Sequence, residues 1–323
     1  MTKITVLVLA DPTDPPPAML DELRATVDLV IGSTLDTLKP AAVAAEVIFN
    51  WSGSLSLLRN VFPLCPKLRW IHSRSVGLER TLFPELIASN VILTNGKSVF
   101  SPSLAEFALG AILYFAKDFR RMVRNQLADV WEQFDVTMIE GKTVGIVGYG
   151  DIGRAVAKRV HAMGMIVLAL KRHAQAGKTG DLLADQIYSP DRRLEMLARC
   201  DYIVVATPLN PETRGMIGAP EFAAMKKTAV VINVGRGPVI DESALIEALS
   251  ARRIKGAALD VFDEEPLPKG HPFYKMENVL LSPHCADHTP DWLDNAARFF
   301  IEQLDRFENG QPLFNIVNKS LGY

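Results

Sequence analysis

The run Lys142-Thr143-Val144-Gly145-Ile146-Val147-Gly148-Tyr149-Gly150-Asp151-Ile152-Gly153 decides how the rest of the chain is read. Val144–Val147 is a short apolar stretch of the kind that forms a buried parallel strand. It empties into Gly148, Gly150 and Gly153, spaced G-x-G-x-x-G, and then into the helical run Arg154–Met163. In a dinucleotide-binding turn each glycine has a task. Gly148 permits the tight turn, Gly150 lets backbone approach a pyrophosphate, and Gly153 lets the helix pack close on the strand. The N–H groups opening the helix then face the phosphates, where the helix dipole favours negative charge. A glycine triplet alone is equally a plain turn; its place between strand and helix marks Gly148, Tyr149, Gly150, Asp151, Ile152 and Gly153 as cofactor contacts.

Working outward, Ile4–Asn95 alternates apolar strands (Ile4–Leu9, Val47–Asn50, Leu68–Ser73, Val91–Thr94) with helices (Leu20–Ala25, Leu55–Val61), the pattern of a parallel sheet with crossovers. The Asp- and Pro-rich turn Asp11–Pro17 reads as a surface connection only. Ser73-Arg74-Ser75-Val76-Gly77 is either a backbone anion nest or an ordinary turn. Pro102 opens one long helix from Ser103 to about Gln126, bridging two domains with a boundary near Phe100. Ala128–Glu140, with Trp131 and Phe134, is less regular, a loop or an arm lying on a neighbour. Further strands fall at Val144–Val147, Ile166–Leu170, Tyr202–Ala206, Ala229–Val234, Gly256–Val261 and Val279–Leu281, with a helix Ser243–Ala251 capped by Asp241. In a last helix, Pro290–Asn309, Trp292, Ala296, Phe299 and Phe300 share one apolar face that returns to the first domain. The fold expected is α/β, two Rossmann-like or flavodoxin-like lobes with parallel sheets and an active-site cleft between them. One lobe is residues 1–100 plus 289–323, the substrate-binding domain; the other is 101–288, the dinucleotide-binding domain.

At 323 residues, the chain is long enough for two such cores. A hydrophobic fraction of 48% and a net charge of -2 leave no electrostatic footprint for nucleic acid or an anionic membrane. The apolar run at Ile4–Ala10 is too short to span a bilayer and lacks a signal-peptide cleavage region. Cys65, Cys200 and Cys285 are scattered, with neither a zinc nor a disulfide pattern, which suits a reducing cytoplasm. No metal-ligand cluster is evident.

Arg236, Glu265 and His284 each come just after an expected strand. In open α/β sheets ligands bind beyond the carboxyl ends of strands, so these three are expected to face one crevice. Singly, each has a structural alternative: a surface charge, one of an acidic run, a capped core histidine.

Val234-Gly235-Arg236-Gly237, Asp260-Val261-Phe262-Asp263-Glu264-Glu265-Pro266 and Ser282-Pro283-His284 resemble the signature blocks of the D-isomer-specific 2-hydroxyacid dehydrogenases. So do the glycine turn, Ser75-Val76-Gly77, and the segment from Asn95 through Ala105-Glu106. The resemblance implies an oxidoreductase moving hydride between NAD(P)H and a small 2-keto acid such as glyoxylate or hydroxypyruvate. In it Arg236 holds the substrate carboxylate and carbonyl, His284 is the general acid–base, and Glu265 bonds its other nitrogen. It implies backbone N–H groups of Val76 and Gly77 on the carboxylate, and Asp260 on the nicotinamide carboxamide. Ser103, Thr207, Pro208 and Val234 fall near the cofactor. Glu265 separates the chain from formate dehydrogenases, which place Gln there. Phosphoglycerate dehydrogenases often add a regulatory domain for which the stretch after Asn309 is too short. Glyoxylate/hydroxypyruvate reductases are therefore the nearest subgroup, and the family habit of pairing through the cofactor domain implies a homodimer, with Trp131 a contact. A nucleotide-sensing, corepressor-like protein is the alternative on the same fold.

Residue types then choose the cofactor. An NAD-binding turn carries an acidic residue about twenty positions past the glycines. Here the strand ends Leu170-Lys171-Arg172-His173. Lys171 and Arg172 suit the extra phosphate of NADP, Arg172 in fork geometry, so NADP is favoured over NAD. Ala206-Thr207-Pro208 lacks the histidine many relatives carry two residues before the proline. Cys285, beside His284, is expected to be a small space-filler.

Overall fold

A computed structural model describes residues 3–172 and 181–322; His173 lies outside them. The chain divides into two units, residues 1–100 with 289–323 and residues 101–288.

In the first unit β1 (Thr5–Leu9), β2 (Asp28–Gly32), β3 (Ala45–Asn50), β4 (Trp70–Ser73) and β5 (Ile92–Asn95) form a parallel sheet of order β2-β1-β3-β4-β5. This is the flavodoxin-like order. β1, β3 and β4 are buried almost throughout because helices cover both faces, and β4 buries His72 and Ser73 along with Trp70 and Ile71. One face buries Leu7, Leu9, Ile48, Ile71 and Leu93 with the helices Leu35–Ala42 and Leu55–Val61, which Thr34 and Ser54 cap. The other is aromatic: Phe300 of helix Trp292–Glu308 stacks on Phe49 at 4.1 Å and on Trp70 at 5.5 Å. The return of the last helix to the first lobe is thus realised.

His72 lies inside that aromatic layer, fully buried, with Nδ1 2.7 Å from Thr94 Oγ1. Burial pushes its pKa down to about 3, so it stays neutral.

The structure corrects three expectations. β2 and helix Leu35–Ala42 are additions: the helix is short and has Pro40 inside it, both of which mute the helical signal. The expected helix Leu20–Ala25 is a 3-10 segment, Ala18–Ala25, entered from Pro17. The long helix from Ser103 is broken. Ser101–Lys117 ends at Asp118, whose φ of 51° lies in the left-handed region, and Phe119–Leu127 starts afresh with the Asp118 carboxylate accepting from Arg121 N–H.

The second unit holds β6 (Thr143–Val147), β7 (Ile166–Leu170), β8 (Gln186–Tyr188), β9 (Tyr202–Val205), β10 (Val230–Asn233), β11 (Gly256–Leu259) and β12 (Val279–Leu281). Their order, β12-β11-β10-β9-β6-β7-β8, is parallel throughout and reverses direction between β6 and β9. Such a reversal is where a doubly wound sheet binds its ligand. β8, only three residues long, is a further addition to the expected strands. Helix Glu242–Ser250 takes the expected cap, Asp241 accepting from Ala244 N–H at 3.0 Å.

Candidate active site

The glycine turn sits at the carboxyl end of β6, beside the sheet reversal. Gly148 has φ 98°, a conformation glycine alone adopts without strain, and an added Cβ would stand 2.8 Å from Ala206 O. At Gly153 a Cβ would meet Gly148 O at 2.2 Å, so helix Asp151–Ala162 packs on the turn only because that side chain is missing. Gly150 differs: a Cβ there meets nothing within 4 Å, so the space before the helix N-terminus is left open. Those features fit a pyrophosphate resting on the helix start.

Neighbouring hydroxyls hold this frame. Thr207 Oγ1 donates to Val147 O at 2.8 Å, tying the loop after β9 to the end of β6, and Pro208 O accepts from Thr213 Oγ1 at 2.6 Å. Ser101 Oγ bonds Asp151, and Ser103 Oγ donates to Ala286 O at 2.6 Å, joining the first turn of helix Ser101–Lys117 to the loop that carries His284. Beyond β7, Lys171 is exposed and Arg172 Nη2 pairs with Glu212 at 2.5 Å.

Arg236 lies just past β10 in extended backbone. Val234 N–H donates to Val205 O, and Asn233 grips the turn, its Oδ1 accepting from Gly235 N–H and its Nδ2 donating to Arg236 O. An added Cβ at Gly237 would lie 2.0 Å from the carbonyl carbon of Phe262. The Arg236 turn and the Asp260–Glu265 loop therefore touch backbone to backbone. Arg236 Nη1 donates to Gly235 O at 2.7 Å, and its charge acts on both Glu265 and His284.

Glu265 and His284 meet directly, Nδ1 to Oε2 at 2.6 Å, while Glu265 Oε1 accepts from Phe262 N–H at 2.9 Å. The hydrogen bond to Glu265 raises the His284 pKa against the opposing effect of burial, with the charges of Glu265 and Asp260 adding to the rise. For Glu265 burial pushes upward, but the bonds from His284 and Phe262 N–H and the nearby positive charges leave it lowered. A raised histidine contributes stability fully present below its usual 6.5 and lost as pH rises through the folded value. A lowered carboxyl contributes above its usual 4.5 and is lost as pH falls. The pair is therefore at full strength between those values. Glu265→Gln should return the His284 imidazole toward the ordinary histidine range in an NMR titration; an unmoved midpoint would show that the carboxylate does not set it.

His284 is also held through backbone. Its φ of 52° is in the left-handed region, which carries roughly 1–3 kcal/mol of strain for such a residue. Asp260, 1% exposed, opposes that strain: its Oδ1 accepts from Ser282 Oγ at 2.6 Å and from the N–H groups of Cys285 and Ala286 at 3.0 and 3.1 Å. One carboxylate oxygen thus grips both sides of His284. Sequence reasoning misses this bracing by Asp260 and Ser282, although both residues lie in the family's signature blocks. Cys285 is exposed and so fills no interior space, a correction; Cys65 and Cys200 are buried, their thiols pushed up to about 11 and about 12 by desolvation.

All three polar candidates, the glycine turn, Ser103, Thr207 and Asp260 belong to the second unit; Val76 and Gly77 lie after β4 in the first.

Residues 109–286 match the family described as D-isomer specific 2-hydroxyacid dehydrogenase, NAD binding domain. A D-3-phosphoglycerate dehydrogenase from Methanocaldococcus jannaschii is 32% identical over 317 residues, 97% of this chain; the chain spans only 59% of that relative's length. A glyoxylate/hydroxypyruvate reductase B from Pectobacterium atrosepticum is 32% identical over 311 residues, covering 92% of this chain and 95% of the relative. Among solved structures, a D-isomer specific 2-hydroxyacid dehydrogenase from Xanthobacter autotrophicus Py2 in complex with NADPH and MES superposes with a TM-score of 0.84 at 29% identity, covering 100% of both chains. With over half its length matched by the family and near-full-length relatives at this identity, the chain belongs to the D-isomer specific 2-hydroxyacid dehydrogenases.

Proposed function

We propose that this protein is an NAD(P)H-dependent reductase of small 2-keto acids, glyoxylate and hydroxypyruvate first among them, giving D-2-hydroxy acids and running in reverse as a dehydrogenase. The observation that carries the reading is the 2.6 Å Glu265–His284 bond, braced in the same unit as the glycine turn. Bound nicotinamide supplies hydride to the carbonyl carbon. With Nδ1 committed to Glu265, the free edge of His284 is Nε2, which donates a proton to the carbonyl oxygen as negative charge develops there. The bond to Glu265 favours the protonated ring, and the reverse oxidation uses the neutral ring as base. Arg236 binds the carboxylate and carbonyl with paired, charge-assisted hydrogen bonds that fix which face is presented. In the first unit, Val76 and Gly77 offer backbone N–H groups for a carboxylate, as the resemblance implies.

NADPH is the favoured cofactor. Arg172, paired with Glu212 in this structure, offers its fork to the 2′-phosphate on exchanging that partner, no carboxylate stands in the Leu170-Lys171-Arg172 run, and the similar Xanthobacter structure holds NADPH. A panel of 2-keto acids with NADPH and with NADH, monitored by loss of reduced-nicotinamide absorbance, tests the function. Arg172→Ala should raise the KM for NADPH about ten-fold or more and leave that for NADH nearly unchanged; equal shifts would reject this phosphate assignment. No turnover on any keto acid would favour the nucleotide-sensing alternative.

The protein acts as a homodimer in a reducing cytoplasm on this reading. Leu127 and Trp131 stand 82% and 97% exposed on neighbouring segments, apolar surface that a second copy would cover. Light scattering should give twice 35.6 kDa, and Trp131→Ser should shift it toward monomer; a monomeric parent would end this part of the reading.

A further inference from the structure

The turn Asp11–Pro17, expected only to join β1 to the next element of the chain, does more, and Asp14 makes the correction. Its Oδ2 accepts from Arg74 Nη1 at 2.6 Å, and its backbone carbonyl accepts from Trp51 Nε1 at 2.9 Å. Arg74, two residues before Val76, is only 12% exposed. Its guanidinium carbon lies 4.5 Å from the ring centre of Trp51 and 5.3 Å from that of Trp292, the residue that opens the returning helix. Trp51 is itself wholly buried.

The backbone after Arg74 is pinned on its carbonyl side. Ser75 O accepts from Gly96 N–H at 3.4 Å and Val76 O from Asn95 Nδ2 at 2.9 Å. Gly96 presses so close that a Cβ there would be 2.2 Å from Arg74 O. Meanwhile the N–H groups of Val76 and Gly77 donate to no partner among the described residues. A turn with its carbonyls bound and two successive N–H groups unspent has donors to offer an anion.

We propose that Arg74 is a positioning residue: sandwiched by Trp51 and Trp292 and tied to Asp14, it sets the Ser75–Gly77 turn so that Val76 and Gly77 present their N–H groups to the substrate's carboxylate. The inference rests on the keto-acid reading above. Arg74 is not a second anion clamp, because Asp14 already balances its charge and little of it reaches solvent. The position suits arginine rather than lysine, since a planar guanidinium stacks on an indole while donating in its own plane. A nest that holds the carboxylate equally in ground and transition states changes KM and leaves kcat nearly alone.

Steady-state kinetics on Arg74→Met, Arg74→Lys and Asp14→Asn test this, with NADPH binding read by fluorescence. Arg74→Met should raise the keto-acid KM about ten-fold, with kcat within roughly three-fold and NADPH affinity unchanged. Asp14→Asn should move the same way by less, and Arg74→Lys should recover part of the loss. If Arg74→Met does not fold, a folded Asp14→Asn with parental KM overturns the proposal. So does Arg74→Met with parental KM, or with kcat and NADPH affinity falling while KM rises. An active parent with unchanged KM in the variants sinks this inference alone; a parent that turns over no 2-keto acid removes the underlying reading too.

Discussion

Replacing His284 by alanine should lower turnover of the preferred keto acid by about 10²- to 10⁴-fold, or roughly 3–5 kcal/mol of barrier, the usual worth of a placed general acid. NADPH affinity should stay near the parental value, because the glycine turn and Thr207 are held by bonds that do not involve the imidazole. The fold should survive as well. Asp260 grips Ser282, Cys285 and Ala286 without touching the His284 ring, so the loop keeps its anchors. Alanine inherits the left-handed backbone, which costs about 1 kcal/mol relative to a residue that tolerates it better. Stopped-flow measurement of nicotinamide oxidation with saturating substrate reads the chemical step alone. Parental turnover there would strip His284 of its acid–base role.

The second large effect belongs to Arg236. Arg236→Met should cut kcat/KM for the keto acid by about 10³-fold, since it removes charge-assisted bonds that both bind and orient the reacting carbonyl. Unlike Arg74, the loss should appear in kcat as well as KM, because orientation matters most as charge builds on oxygen. Stability should be nearly unchanged: the surrounding turn is fixed by Asn233 and by the contact of Gly237 with Phe262, neither of which uses the guanidinium. Steady-state kinetics with and without added guanidinium would check it. A variant within about three-fold of the parent would mean the carboxylate is held elsewhere.

Much of this is legible in the residues alone. Strands such as Val144–Val147 and Ile166–Leu170 announce themselves because a strand buried on both faces is uniformly apolar. Gly148 and Gly153 are readable because backbone contacts exclude every other residue there. The members of the Glu265–His284 pair are readable by motif, although nothing in their spacing gives a 2.6 Å bond. What escapes is of two kinds. Short elements, β8 and the helix over Leu35–Ala42, bury too few residues for periodicity to register. Long-range polar clamps leave no local trace: Asp14 and Arg74 are 60 positions apart, and Trp292 is farther still. The break at Asp118 is hidden for another reason. The residue sits in a helical context, and only its own left-handed backbone turns it from interior to cap.

The stacking of Phe300 on Phe49 and Trp70 has a consequence for biosynthesis. The first hundred residues leave the ribosome with the aromatic part of one side of their sheet uncovered, and its cover is encoded beyond residue 288. At ordinary elongation speeds roughly 10–40 s separate the two, during which the intervening unit can fold by itself. Nascent chains halted before Trp292 should therefore expose a greasy aromatic surface to chaperones, and release of the final helix is what closes it.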